Sequence, residues 1–245
     1  MRPFKKLPFA QRSVIRRKIL RAQKRAENLA KGKELIADLN KEAAEHKRLI
    51  LDSSVNDPAK QVNLDKVVLS IVTLAQIISE KQFYPYQTAI SYRIAESVLL
   101  HDGDVLTALI SRQSGKTQVV GATVAALILI LPHLAASFPD SWHLNITDEK
   151  GTYRGFKDGI QVGIYAPRKE QSKIAFERVK ECFERDTTIQ IMRELGLEMT
   201  TFNGDAIKLS NGSIGVCRSA SIQSKIEGAT YHVLILEEAQ DIDDL

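Results

Sequence analysis

The chain has 245 residues, 44% hydrophobic and 26% charged, which is typical of a soluble globular protein with a sizeable core. Its longest apolar run is short for a membrane span and contains Pro132, and no signal peptide is evident, so a membrane-spanning or secreted protein is disfavoured. Two distant cysteines, Cys182 and Cys217, fit packed thiols in a reducing compartment, and five scattered histidines argue against a histidine metal site.

The net charge of +4 is unevenly distributed. Residues 1–50 hold 15 Lys/Arg and 5 Asp/Glu, a net charge of +10, and the remainder holds 19 and 25, a net charge of −6. A basic arm on a mildly acidic body is typical of proteins that bind polyanions. A solvated basic helix without a partner is the alternative.

The first hundred residues are predicted to be helical, because apolar residues recur at helical spacing. Gly32 predicts a break or kink in the first helix. Asp57 and Pro58 are a suitable N-cap and first-turn pair for the second. The three helices are predicted over residues 10–51, 58–78 and 88–100.

Beyond residue 100, apolar strands alternate with helices, a pattern that predicts an α/β fold with a parallel sheet flanked by helices. A hairpin is predicted over residues 206–219, turning at Asn211-Gly212. We expect a basic helical extension over 1–57 and one α/β domain over 58–245. Buried strands are predicted at 104–111, at 160–167 and in the segment that begins at residue 231 and leads into two acidic residues. A helix is predicted after each of the first two strands.

The segment Ser-Arg-Gln-Ser-Gly-Lys-Thr has the pattern of a phosphate-binding loop between a strand and a helix. Backbone N–H groups at such a helix N-terminus favour anions. Lys116 would contact the β- and γ-phosphates of a nucleotide, and the Thr117 hydroxyl would ligate Mg²⁺. The pattern usually has glycine where Ile110 stands, and a surface loop is the alternative. The candidate nucleotide-binding residues are Ser111, Arg112, Gln113, Ser114, Gly115, Lys116 and Thr117.

Arg112 lies inside this loop, so its guanidinium would enter the site from the same chain. An arginine in that position can neutralise the charge that develops on the γ-phosphate.

Two adjacent acids follow the apolar strand Val233–Leu236, which is predicted to be central in the sheet, and they are predicted to lie beside the loop. Glu237 would hold Mg²⁺ through water, and Glu238 would accept a proton from the attacking water. A solvated turn is the alternative.

Aromatic residues in Phe-Tyr-Pro-Tyr-Gln precede the helix predicted over residues 88–100 of the domain. Tyr84 or Tyr86 would stack on a base, and the amide of Gln87 would pair with an adenine edge. A packed corner is the alternative.

These motifs together resemble the N-terminal ATPase domain of the large terminase subunit of tailed bacteriophages. Residues 83–87 resemble its adenine-binding motif and 111–117 its variant phosphate loop with an internal arginine, the most specific of the four. Residues 162–180 resemble its Ala-Pro strand-and-helix motif, and 221–240 its approach to the acidic strand. The family usually has Asp where Glu237 stands.

The resemblance implies a P-loop NTPase fold of the RecA/ASCE type, with ATP and Mg²⁺ as cofactors. Lys116 and Glu238 would carry hydrolysis, with Arg112 acting in cis. It implies a motor that drives double-stranded DNA into a procapsid, as a homo-oligomeric ring on the portal. Its partners would be the portal protein and the small terminase subunit, in the cytoplasm of an infected bacterium, with no membrane involved.

The family continues with further sheet strands and a nuclease domain, which these residues lack. We therefore expect an incomplete sheet, no nuclease activity and weak ATP turnover even where nucleotide binds.

Two other functions fit part of the pattern. A superfamily 2 helicase shares a glutamine motif, a phosphate loop and an acidic box, although Glu-Glu-Ala-Gln differs from the helicase box. A nucleotide-binding module without catalysis that binds DNA or the portal is the second. The basic arm, residues 2–33, would contact DNA phosphates or an acidic partner. Secondary candidates for DNA contact are Arg168, Lys169 and Lys225.

Overall fold

A computed structural model of the chain shows an α/β architecture. It describes residues 9–52, 64–111, 113–139, 141, 143–145, 155–220 and 230–239. The helices in these ranges are α1 (Phe9–Asp52), α2 (Leu64–Ser79), α3 (Pro85–Leu100), α4 (Lys116–Ser137), α5 (Lys169–Phe183) and α6 (Asp186–Glu194). The strands are β1 (Gln161–Ala166), β2 (Met199–Phe202), β3 (Ala206–Leu209), β4 (Ile214–Ser219) and β5 (Val233–Leu236).

The five strands form one mixed sheet in the order β2-β3-β4-β1-β5. β1 pairs in parallel with β4 and with β5, whereas β2–β3 and β3–β4 are antiparallel. The prediction of a parallel sheet therefore holds for β4, β1 and β5 only. The predicted hairpin is confirmed, and its turn contains Gly212 at φ 86°, a left-handed conformation that glycine adopts readily.

Helices α4 and α5 cover one face of the sheet. A Cβ added to Gly215 of β4 would lie 3.1 Å from Ile128 of α4 and 3.8 Å from Phe176 of α5. Among the described helices, only α4 is long and apolar enough to cross a membrane, but 83% of its apolar window is buried inside the protein. A helix that is apolar on all sides and covered by protein is a core helix.

Helix α1 runs without interruption through Gly32, so the predicted break is wrong. Gly32 is buried, and a Cβ added there would lie 2.8 Å from Cδ1 of Ile191 in α6. The glycine allows two helices to approach closely rather than ending one of them. The second half of α1 buries Ile36 and Leu39, while residues 17–27 are exposed.

One helix start differs from the prediction, and another lies outside the described residues. Helix α3 begins at Pro85, three residues before the predicted start, because proline suits a first helical position. The Gln87 carboxamide also accepts a hydrogen bond from the Tyr84 backbone N–H (3.0 Å) and caps the helix. Asp57 and Pro58 lie outside the described residues, and α2 is described from Leu64.

The predicted buried strand at 104–111 is wrong. These residues form no strand, and Val105 and Leu109 are 91% and 99% exposed. β5, predicted to be central, lies at the edge of the described sheet, with Leu234 and Leu236 about half exposed at 53% and 50%. Apolar sequence alone does not form a strand, because the backbone groups need a neighbouring strand to bond.

Both cysteines are free and buried, as expected for packed thiols. Burial raises the pKa of Cys182 to about 12 and raises that of Cys217. Neither thiol therefore has the thiolate character that reactivity requires.

Candidate nucleotide-binding site

The phosphate loop leads directly into α4. Gly115 caps this helix at φ 79°, and Gln113 also has a positive φ of 62°. The backbone N–H groups in the first turn of a helix have no hydrogen-bond acceptor within the helix. Because the first turn of α4 contains no acidic residue and begins with Lys116, it is a suitable site for an anion.

Strand β5 brings an acid to this loop. The Glu237 backbone N–H donates a hydrogen bond to the Tyr165 carbonyl (2.8 Å), which extends the pairing with β1 by one residue. The Glu237 carboxyl lies near the Thr117 hydroxyl and the Lys116 ammonium, and both neighbours act to lower its pKa. Residues separated by 120 positions in sequence therefore meet at the N-terminus of α4.

The surroundings of Glu237 oppose its ionisation. Burial raises the pKa of this carboxyl above its ordinary value of 4.5, and the neighbouring charge of Glu238 raises it further. The charge of Lys116 and the nearby Thr117 hydroxyl act in the opposite direction. A second cation beside Glu237 would stabilise the carboxylate, which makes this position suited to a metal ion.

The donor set fits a magnesium–phosphate ligand. Mg²⁺ takes oxygen ligands and usually keeps several waters, with one or two ligands from the protein. Thr117 and Glu237 supply a hydroxyl and a carboxylate, although the described residues contain no group of three or more His, Cys, Asp or Glu side chains that could hold a metal. In the same segment, the buried Ser114 Oγ and Gln118 Nε2 have no hydrogen-bond partner in the structure.

Glu238 adopts a left-handed backbone conformation with φ 52°. This conformation is uncommon for residues other than glycine and is concentrated at functional sites. It turns the chain directly after Glu237, so the two acids do not continue the alternation of the strand.

The aromatic segment contacts the phosphate loop. The rings of Tyr84 and Tyr86 are nearly parallel, with centroids 6.1 Å apart, and both are exposed. The Tyr86 hydroxyl donates to the Ser114 carbonyl (2.5 Å), and Gln87 Nε2 donates to the same oxygen (3.0 Å). The sequence carries no signal for this contact, because it joins a side chain to a backbone atom 28 residues away.

The remaining candidates are not all in the site. Arg112 and Lys225 lie outside the described residues, and Ser111 is exposed at the start of the loop. Lys169 forms an ion pair with Asp205 (2.7 Å), which Lys173 also approaches (3.6 Å). The other DNA-contact candidate, Arg168, is exposed at the N-cap of α5.

Comparison with known families identifies the class of protein to which this site belongs. Residues 107–244 match the family described as "Terminase large subunit, T4likevirus-type, N-terminal", which covers more than half of the chain. The chain therefore belongs to the large terminase subunits of phage, which act in the host cell in the packaging of phage DNA. The matched range contains the phosphate loop and both acids, but not the basic arm or residues 83–87. The search of curated proteins found no match.

The raised pKa of Glu237 predicts a stability effect that depends on pH. The native state binds this proton more tightly than the unfolded chain, so stability is lost as the pH rises from 4.5 through the raised pKa. Glu237→Gln should therefore unfold at a higher urea concentration than the wild type at pH 7 without metal. The difference should shrink at pH 4, where both side chains are neutral.

Glu34→Gln, on the exposed surface of α1, is the matched control and should show no such gain. A Glu237→Gln variant that is less stable than the wild type at pH 7 would contradict the burial of this charge.

Proposed function

We propose that this protein is the ATPase of a DNA-packaging motor, in which ATP hydrolysis drives double-stranded DNA into a procapsid. The observation that carries the proposal is the position of Glu237 near Thr117 and Lys116 at the N-terminus of α4. Membership of the large terminase family supports the packaging role over a superfamily 2 helicase.

The proposed mechanism assigns one task to each residue of the site. The first-turn N–H groups of α4 and the Lys116 ammonium would bind the β- and γ-phosphates of ATP. Thr117 and Glu237 would hold Mg²⁺, which neutralises negative charge on the phosphate oxygens when bound. The buried Ser114 hydroxyl has no partner in the structure and is available to the phosphates as a further donor.

Hydrolysis also requires an activated water. Glu238 would accept the proton of the water that attacks the γ-phosphate. The guanidinium of Arg112 would neutralise the charge that the γ-phosphate gains in the transition state. Separate tasks for the two acids agree with the left-handed backbone turn at Glu238.

The base of the nucleotide would lie on the α3 side of the loop. Tyr84 is 66% exposed and offers a ring face for stacking beside Tyr86. Recognition of adenine by Gln87 stays a prediction. In the structure, both ends of the Gln87 amide form hydrogen bonds within the protein and neither end is open to a base.

The proposed partners are double-stranded DNA, the portal protein and the small terminase subunit, with a homo-oligomeric ring assembled on the portal. The exposed part of α1 supports a polyanionic partner. Residues 17–27 contain five Lys/Arg and one acid, Glu27. Arg25 forms an ion pair with Asp186 of α6 (3.1 Å). Further along α1, Lys33 forms one with Glu194 of α6 (2.5 Å).

ATP hydrolysis in the presence of double-stranded DNA tests the proposed function. We expect phosphate release that requires Mg²⁺ and increases when DNA is added. A protein that binds ATP but releases no phosphate under single-turnover conditions, with or without DNA, would instead be a nucleotide-binding module without catalysis.

The basic arm should contribute to the salt dependence of DNA binding. Replacing Lys18, Arg21 and Lys24 with alanine should reduce the slope of log K against log salt by up to about 3, since each phosphate contact contributes about 0.9. The measurement is the anisotropy of a labelled duplex titrated at several salt concentrations.

An equal change of charge elsewhere provides the control. Lys81, Arg193 and Lys208 are exposed residues outside the arm, and their replacement by alanine should leave the slope nearly unchanged. Equal slopes for the two triple variants would contradict DNA contact by the arm and favour an acidic protein partner.

A further inference from the structure

One carbonyl oxygen of the phosphate loop accepts two side-chain hydrogen bonds from α3. The oxygen belongs to Ser114, and the donors are the Tyr86 hydroxyl at 2.5 Å and Gln87 Nε2 at 3.0 Å. Both donors lie in the first turn of α3, which is fixed by the bond from the Tyr84 N–H to Gln87 Oε1. A rigid helix start therefore holds the backbone of the loop.

Gln87 is enclosed rather than open to a ligand. The residue is 8% exposed, and its amide accepts a hydrogen bond from Tyr84 at one end and donates one to Ser114 at the other. A Cβ added to Gly115 would lie 2.8 Å from Gln87 Nε2, so the loop passes directly over the amide. Only a residue without a side chain fits at this approach, where φ is 79°.

The held carbonyl determines where an N–H group points. Ser114 C=O and Gly115 N–H belong to one planar trans peptide, so they point in opposite directions. With the carbonyl directed at α3, the N–H of Gly115, the N-cap residue of α4, is directed away from α3. Hydrogen bonds to the carbonyl also polarise the peptide and strengthen its N–H as a donor.

We propose that Tyr86 and Gln87 are positioning residues, which hold the Ser114–Gly115 peptide so that its N–H binds phosphate whatever base the nucleotide carries. The inference rests on the proposed nucleotide site and adds to it. A residue that only contacts the base does not affect the affinity for a ligand that has no base. A residue that positions the phosphate loop affects the affinity for both kinds of ligand.

Binding of inorganic tripolyphosphate and of ATP to Tyr86→Phe tests the proposal. The variant keeps the ring and loses the bond to Ser114. We expect its affinity for both ligands to fall by the same factor, about two- to tenfold, as for loss of one hydrogen bond. Tyr92→Phe is the matched control, since it removes the hydroxyl of another tyrosine of α3 that donates to Asp65 (2.8 Å) rather than to the loop, and its affinity for both ligands should not change.

Gln87→Glu provides a second variant. The carboxylate can still accept the bond from Tyr84 but cannot donate to Ser114, and it adds a negative charge below Gly115. We expect a larger loss for both ligands than in Tyr86→Phe. Unfolding curves of each variant establish that the fold is intact.

The outcomes separate the two proposals. Weakened ATP binding with unchanged tripolyphosphate binding in Tyr86→Phe would overturn the positioning role in favour of base contact. Unchanged binding of both ligands would also overturn it, while leaving the nucleotide site in place. If the wild type binds neither ligand, the proposed function itself is wrong, and the positioning role with it.

Discussion

Lys116→Ala should reduce ATP hydrolysis by about 100- to 1000-fold, the usual effect of removing one preorganised group that stabilises transition-state charge. The ammonium lies at the first position of α4 and close enough to Glu237 to affect its pKa. Its removal takes away the positive charge that would contact the β- and γ-phosphates. ATP should therefore also bind more weakly.

Glu238→Gln should separate binding from chemistry. Glutamine keeps the size of the side chain but cannot accept a proton, so hydrolysis should fall by about 100- to 10,000-fold while ATP affinity stays near that of the wild type. Single-turnover phosphate release and equilibrium binding of a fluorescent ATP analogue measure the two quantities. Lys208→Ala, at an exposed lysine of β3, is the control for loss of a charge and should retain both.

Hydrolysis that survives in both Lys116→Ala and Glu238→Gln would contradict the assignment of this site. Loss of binding in Glu238→Gln would indicate that this acid contributes to the fold or to ligand binding rather than to water activation.

Gly121→Ala should destabilise the protein by about 1–3 kcal/mol, the cost of overpacking a core. Alanine is the better helix former by about 1 kcal/mol, so helix propensity alone predicts the opposite sign. A Cβ at Gly121 of α4 would lie 2.7 Å from Cβ of Arg178 in α5. It would also lie 3.1 Å from the backbone carbon of Arg178 and 3.2 Å from the nitrogen of Val179, and a helix backbone cannot move aside locally.

Gly32→Ala is the matched substitution in a second helix. Its Cβ would meet Cδ1 of Ile191 at 2.8 Å, which is the flexible end of a side chain and can rotate. The gain in helix propensity and the cost of this adjustment should nearly cancel. Urea unfolding of both variants measures the difference, and a Gly121→Ala variant more stable than the wild type would contradict the close crossing of α4 and α5.

Sequence patterns correctly identified the helices, the turn and the strand whose formation depends on local sequence signals and on burial. Helix α5 has the apolar spacing of an amphipathic helix, and α4 is a long apolar segment that follows a glycine-lysine loop. The Asn211-Gly212 turn predicted the hairpin correctly because its geometry requires a positive φ. β1 is buried on both faces and was recognisable as a short apolar run.

Features that depend on distant contacts were not predictable. Residues 104–111 have the composition of a buried strand, but strand formation depends on a pairing partner, which composition does not specify. Gly32 indicated a helix break, whereas its role depends on Ile191, which is 159 positions away. The edge position of β5 among the described strands is likewise a property of the sheet order and not of its four residues.

The candidate site was predictable in part. An acid after an apolar strand and a loop before a helix were expected to meet, and the position of Glu237 near Thr117 agrees with that expectation. The bonds to the Ser114 carbonyl were not predictable, because backbone atoms carry no sequence signal. The roles of Arg112 and Glu238 stay predictions.

Calorimetric titration of ATP, with and without Mg²⁺, tests most directly whether the loop and the acidic strand hold one metal–nucleotide ligand. We predict that Mg²⁺ strengthens ATP binding to the wild type, and that this gain is lost in Glu237→Gln and in Thr117→Val. An equal gain from Mg²⁺ in all three proteins would contradict the proposed site.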